Sequence, residues 1–167
     1  KLLQQLGNRS VIAHTYLNTV ATGLFDEVAV VTDSDLIEEE IKKINGRVLR
    51  SAQEHFSGTD RIAEVASQFN SNVLINVQGD EPFVQKEPLE KLCSLFSVPG
   101  VMVASLMHQL SSPEEVADPN TVKVVVNLKM EAMYFSRSVI PFPRDADVPV
   151  TYYKHIGVYA YTKEALK

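Results

Sequence analysis

A single thiol, Cys93, is all the cysteine this 167-residue chain has. No disulfide can form within it, which fits a reducing compartment. One cysteine also makes a zinc site a poor expectation, and His14, His55 and His108 show neither ligand spacing nor an identifiable carboxylate partner. No apolar run approaches the roughly 20 residues that a membrane span needs. The opening Lys1-Leu2-Leu3-Gln4-Gln5 is too short in its apolar part to read as a secretory signal. Basic residues are in deficit, 16 Lys and Arg against 21 Asp and Glu for a net charge of −5. That argues against nucleic acid as a partner, which usually shows as a basic excess. A nucleotide substrate is still compatible, because it needs only a local cluster of donors and a metal. Neither a Gly-x-x-x-x-Gly-Lys loop nor a Gly-x-Gly-x-x-Gly fingerprint occurs, which weakens ATPase and dehydrogenase readings. Internal repeats and low-complexity tracts are lacking too.

What is present suits one compact domain with a real core. Hydrophobic residues make up 45% and charged residues 22%, ordinary values for a globular chain. The first 100 residues alternate between the two periodicities. Asn8 can cap a helix carrying Ile12, Tyr16, Leu17 and Val20. Glu27–Thr32 reads as a buried strand, and Ser34 can cap a helix with Ile37, Ile41 and Ile44 on one face. Gly46 is a stop signal after that helix. A short strand over Arg47–Arg50 follows, then a helix capped by Ser57 or Thr59. Asn72–Val77 is a strongly apolar strand, Pro88–Phe96 a helix and Val101–Gln109 a strand. Strands separated by helices imply βαβ units and a parallel sheet. After residue 120 the pattern changes. Val122–Asn127 and Ala132–Arg137 lie only a few residues apart, which suggests an antiparallel hairpin. Residues 140–150 hold three prolines and no periodicity, so a loop is expected before a last strand, His155–Thr162. The sum is a three-layer α/β/α sandwich with a mixed, mostly parallel sheet.

Chemistry is expected where polar residues follow apolar strands, because ligands of open α/β sheets bind beyond the strands' carboxyl ends. Val77-Gln78-Gly79-Asp80-Glu81-Pro82 is such a place. Gly79 allows close approach of a backbone to a ligand, and Asp80 and Glu81 supply hard oxygen ligands of the kind Mg²⁺ prefers. The same residues also fit a plain polar turn. Ser57-Gly58-Thr59-Asp60-Arg61 opens a helix whose N–H groups, with Arg61, could hold an anionic or polar ligand; an ordinary helix cap explains it as well. Arg137 ends a strand and could fork onto a carboxylate or phosphate, or simply be an exposed arginine. His155 and Tyr159 lie four apart on a strand and so share a face. They could donate to sugar hydroxyls or pack against a helix. Asp33 and Asp35 follow the Glu27–Thr32 strand and could lie near the same site, but Ser34 and Asp35 also serve as helix starters.

Six stretches in this order carry a resemblance: VVTDSD (30–35), HFSGTDR (55–61), INVQGDEP (75–82), DPNTVKVV (118–125), MYFSRSVIPF (133–142) and HIGVYAY (155–161). Together they span nearly the whole chain, and it resembles the Kdo cytidylyltransferases (CMP-Kdo synthetases), Kdo being 3-deoxy-manno-octulosonate. The resemblance implies the Rossmann-like fold of nucleotide-diphospho-sugar transferases. It implies CTP and Kdo as substrates and CMP-Kdo and pyrophosphate as products, with Mg²⁺ as clamp and Lewis acid. It further implies Asp80 as a catalytic residue and Mg²⁺ ligand, and Gln78 as a catalytic residue reaching the sugar or the ribose. Ser57, Gly58 and Arg61 would hold the cytidine, Arg137 would face the Kdo carboxylate, and His155 and Tyr159 would line the sugar pocket. The family usually has Glu where this chain has Asp60, which keeps the charge and shortens the reach.

By the same resemblance the protein is a homodimer, works in the bacterial cytoplasm with neither nucleic acid nor membrane as partner, and feeds lipopolysaccharide assembly. Residues 1–167 are expected to form one cytidylyltransferase-like domain. It would lack the family's first strand and phosphate loop, rich in Arg, Ser, Pro and Gly and ending in Lys, for which Lys1 is the candidate. It would also lack a late segment with a second metal-binding aspartate, and Lys163–Lys167 reads as the first turn of a further helix. Alone, this stretch is expected to be inactive or very weak. Two other functions remain open: a cytidylyltransferase for sialic acid or an amino analogue of Kdo, and a non-catalytic nucleotide-binding domain.

Overall fold

The computed structural model describes residues 1–55, 57–145 and 147–166; Phe56 of the HFSGTDR stretch and Lys167 of the closing turn lie outside the described residues. The chain packs as two compact units, Lys1–Ala104 with Gly157–Lys167, and Ser105–Ile156.

The first unit opens with a feature the periodicity does not announce. Two-residue strands β1 (Gln5–Leu6) and β2 (Arg9–Ser10) pair antiparallel around Gly7, whose φ of +67° is left-handed. Helix α1 (Val11–Ala21) follows at once. Its cap is Ser10, which accepts from the Ala13 amide, and not Asn8. Both residue types cap well, and the hairpin takes Asn8 for its turn. Strand β3 (Val30–Thr32) and strand β4 (Val48–Arg50) pair in parallel around helix α2 (Asp35–Lys43). Ser34 occupies the N-cap position of α2, yet its side chain makes no capping bond. At the other end of α2, the left-handed residue is Asn45 (φ 54°). Gly46 is needed for space, since a Cβ there would stand 2.5 Å from Ile41 Cγ2 and 3.0 Å from Tyr16 Cε1.

Helix α3 (Gly58–Val65) runs into a 3₁₀ turn, and strand β5 (Val73–Val77) and helix α4 (Lys86–Ser94) complete this run. Ile12, Ala13, Ile41, Val65, Leu74, Leu89 and Leu92 are buried here; burying each large one contributes roughly 1.5–3 kcal/mol.

Strand β6 (Val103–Gln109) leads into the second unit, with the short helix α5 (Pro113–Ala117), strand β7 (Lys123–Val126) and strand β8 (Ala132–Ser136). The expected hairpin is there: β7 and β8 pair antiparallel, with a register shift at Val125/Val126. Strand β9 (Tyr153–Thr162) starts in this unit, antiparallel to β7, and ends in the first unit, antiparallel to β5. The expectation of a mostly parallel sheet is therefore corrected for the described strands. Strand–helix alternation gives a parallel ladder at β3/β4, while β5 takes its partner from more than 80 residues downstream, running the other way.

Candidate active site

The segment after β5 is pinned by α1. Thr15 Oγ1 donates to the Gly79 carbonyl (2.9 Å) and Asn18 Nδ2 to the Pro82 carbonyl (2.6 Å), while the Glu81 amide closes a turn onto the Gln78 carbonyl (3.0 Å). Gly79 is also small for a reason that the sequence does not announce. A Cβ on it would stand 2.8 Å from Ile12 Cδ1, so the close approach is to helix α1. Asp80 is left at the tip of this turn. Its carboxylate receives Lys1 Nζ at 2.5 Å, and the ammonium's pKa is raised by that hydrogen bond and by the charge behind it.

Gln78 and Asp80 line a cavity of about 1080 Å³ together with Lys1, Gly58 and Arg61. The rest of its wall is largely apolar, from Leu2, Ile12 and the facing residues of β3 and β5. Among the described residues neither strand has a ladder partner on that side: β3 pairs with β4, and β5 ends its sheet beside β9.

The start of α3 is built as expected. Ser57 accepts from the Asp60 amide (3.2 Å) and its hydroxyl donates to the Asp60 carboxylate (2.7 Å). Asp60, at the position where the resemblance leaves a contact in doubt, thus closes the cap. Arg61 Nη2 meets Asp33 Oδ1 at 3.2 Å, and its Nε is buried without a hydrogen-bond partner among the described residues. A buried orphan donor is costly unless something accepts from it, and this one belongs to a side chain on the cavity wall. Asp35 pairs elsewhere, with Arg50 (3.0 Å).

Tyr159 is stacked on Tyr161 (centroids 6.0 Å apart), and burial raises its pKa. Tyr161 in turn bonds Thr59 of α3 through its hydroxyl (3.0 Å). Arg137 and His155 belong to the second unit. Arg137 Nη1 donates to the Pro119 and Asn120 carbonyls (3.0 and 3.4 Å). His155 Nε2 lies 2.8 Å from Ser105 Oγ, its ring meets Phe135 edge-on at 5.1 Å, and burial lowers its pKa.

Two groups escape sequence reading. His55, without an identifiable carboxylate in the sequence, has one: Glu64 accepts from Ser51 Oγ (2.6 Å) and the Ala52 amide (2.8 Å) and meets His55 Nε2 at 2.7 Å. The Ser51 hydroxyl first, then His55 and the amide, hold the Glu64 carboxyl down to about 2. The spacing of nine residues from a loop to a helix carries no periodic signal. Lys123 is the other, fully buried, with Nζ donating to the Asp118 and Thr121 carbonyls (3.0 and 2.8 Å). An isolated lysine in an apolar strand reads as exposed until its carbonyl partners are known.

Among the described residues no group of three or more His, Cys, Asp or Glu is clustered to hold a metal. Mg²⁺ does not demand one, because it keeps waters and takes one or two carboxylates plus substrate phosphates. Asp80, partly exposed and paired with a replaceable ammonium, fits that mode of binding.

The same architecture recurs in known proteins. The family described as "Cytidylyltransferase" matches residues 1–167. The 3-deoxy-manno-octulosonate cytidylyltransferase of Flavobacterium johnsoniae is 49% identical over 99% of this chain and 69% of its own length. That of Escherichia coli is 38% identical over 100% of this chain and 68% of its own. A solved CMP:2-keto-3-deoxy-manno-octonic acid synthetase complexed with CTP superposes with a TM-score of 0.90 at 38% identity, covering 99% of this chain and 68% of that one. A match along every residue, at this identity and with this fold, means that the chain belongs to the cytidylyltransferases, in the CMP-Kdo synthetase family.

Proposed function

We infer that this chain carries the chemistry of a 3-deoxy-manno-octulosonate cytidylyltransferase. The anomeric hydroxyl of Kdo attacks the α-phosphorus of CTP; the new O–P bond forms as the bond to the β-phosphate oxygen breaks, and pyrophosphate leaves. The observation that carries the reading is Asp80, at the tip of a pinned turn beyond β5, on one cavity wall with Gln78, Gly58 and Arg61. Transfers of this kind depend on positioning and on charge neutralisation. Mg²⁺, held by Asp80, would neutralise phosphate charge and act as Lewis acid. Ser57, Gly58 and Arg61 hold the cytidine, in keeping with the open Nε of Arg61. Gln78 reaches the sugar or the ribose. Arg137 faces the Kdo carboxylate with the N–H groups it does not spend on carbonyls, and His155 and Tyr159 line the sugar.

The product feeds lipopolysaccharide assembly in the bacterial cytoplasm. The described residues contain no helix long and apolar enough to cross a membrane. A homodimer is proposed through the second unit, where Met133, Tyr134, Phe142 and Val148 are exposed apolar residues; sedimentation of the protein at micromolar concentration tests it. The domain is proposed to be completed by a further strand between β3 and β5, the three-layer sandwich with it. The apolar stretch of that cavity along β3 and β5, short of its Gln78–Asp80 end, supports this, as does the extra length of the relatives. Without those parts, residues 1–167 are expected to turn over weakly or not at all.

Pyrophosphate release by the full-length chain, with CTP and a panel of Kdo, an amino analogue of Kdo and sialic acid, tests the reading. Kdo is expected to give the highest kcat/KM. A preference for another acidic sugar would move the assignment to that sugar, and no release with any of them would leave a nucleotide-binding domain.

A further inference from the structure

Gly157 stands in the middle of β9, where glycine is a poor choice. In a strand interior it forfeits side-chain packing and costs chain entropy. A left-handed backbone would explain it, but the glycines with positive φ are Gly7, Gly23 and Gly100, and Gly157 is not among them. Its conformation is open to any residue. What lies over it explains it. The ladder between β5 and β9 ends at Val77↔Val158, and Gln78 is the next residue on one strand as Gly157 is on the other. The Gln78 side chain crosses this spot: a Cβ on Gly157 would stand 2.9 Å from Gln78 Cδ, 2.9 Å from Oε1 and 3.1 Å from Nε2. Two of those distances are closer than real Cβ contacts come. The obstructing atoms are the far end of a flexible side chain, so an added methyl would turn the amide away and leave the strand intact.

We propose that Gly157 is a positioning residue for Gln78: the missing Cβ is the seat in which the amide lies, and it fixes where the amide's donor and acceptor are presented to substrate. The Gln78 backbone is locked by the turn to Glu81, and the flanking residue Tyr159, on the same face of β9, is stacked on Tyr161. The role rests on the reading that Gln78 touches substrate.

The test is a double-mutant cycle in the full-length enzyme, Gly157→Ala, Gln78→Ala and both together, with kcat/KM measured separately for CTP and for Kdo and with melting temperatures alongside. Gly157→Ala is expected to melt near the parent and to lose on the order of a hundredfold in kcat/KM, the scale of an ångström of misplacement. The loss should fall on the same substrate as in Gln78→Ala, and the double variant should be no worse than Gln78→Ala alone. Losses that multiply in the double variant would overturn the proposal, as would full activity of Gly157→Ala. If Gly157→Ala fails to fold, a folded double variant still shows that the amide and the methyl compete for one seat. A double variant that also fails to fold would make Gly157 a requirement of the sheet and overturn it. Full activity of Gln78→Ala would instead remove Gln78 from the site, which separates failure of the earlier reading from failure of this one.

Discussion

Asp80 and Arg137 look alike in the sequence, each a charged residue just past the end of a strand, and the structure uses them differently. In the first unit, Asp80 meets Lys1, whose side chain is 76% exposed. A solvated ammonium can be exchanged for another cation at little cost, since exposed ion pairs contribute only about 0–1 kcal/mol. In the second unit, Arg137 and Lys123 donate between them to four consecutive carbonyls, those of Asp118, Pro119, Asn120 and Thr121. Backbone carbonyls cannot be exchanged without opening the loop. One charge is therefore free to exchange its partner, and the other two are largely spent on shape. A charge at a strand end locates a candidate site; its partner decides whether it is available.

The sharpest break of this comparison is removal of the charge at each place. Asp80→Ala in the full-length enzyme should lower kcat by about a thousandfold or more, the scale of lost charge stabilisation at a reacting phosphate. Its urea midpoint should stay at the parent value. Retained turnover would end the metal assignment, and a large drop in stability would show that Asp80 is structural after all. Lys123→Ala should do the reverse. It takes the ammonium from the Asp118 and Thr121 carbonyls and leaves a cavity at a fully buried position, for a loss of about 3 kcal/mol in urea unfolding. Parent-like stability would mean that the loop holds without the ammonium.

The asymmetry explains what could be read in advance. β5 with its polar exit, the Ser57 cap and the β7–β8 hairpin are set by local signals: an apolar run that stops, a hydroxyl before a helix, two strands a few residues apart. Those signals led to Gln78, Asp80, Ser57 and Arg61, and three polar residues of the cavity wall (Gln78, Asp80 and Arg61), with Gly58 beside them, were named from sequence. The direction of pairing at β5 was not legible, because its partner β9 arrives from the far end of the chain. Glu64 with His55, Lys123 with its carbonyls, and Gly157 beneath Gln78 were not legible either. Each is a contact between residues whose spacing follows no helix or strand period, so only the folded backbone brings the partners together.

Smaller effects refine the contrast. Arg137→Ala removes two bonds to carbonyls at an exposed position, so its stability cost should be about 1 kcal/mol. If Arg137 also faces the sugar acid, the KM for Kdo should rise while that for CTP stays put. A rise in both, in step with lost stability, would make it a loop clamp alone.

The smallest effect tests whether the first unit also spends a charge on shape. Glu64 ties the Ser51–His55 segment to α3, and its carboxyl is held at about 2, chiefly by the Ser51 hydroxyl and next by His55. A carboxyl with a folded pKa below its ordinary value stabilises the fold fully above pH ~4.5, and that contribution fades as pH falls towards ~2. Glu64→Gln cannot titrate and keeps an acceptor for the hydroxyl and the amide. Its urea midpoint should therefore lie below the parent's at pH 6 and fall less steeply between pH 4.5 and 2, so that the two curves converge in acid. Parallel curves would show that protonation of Glu64 is not coupled to folding. The loop leading to Ser57 would then be held by something other than this carboxylate.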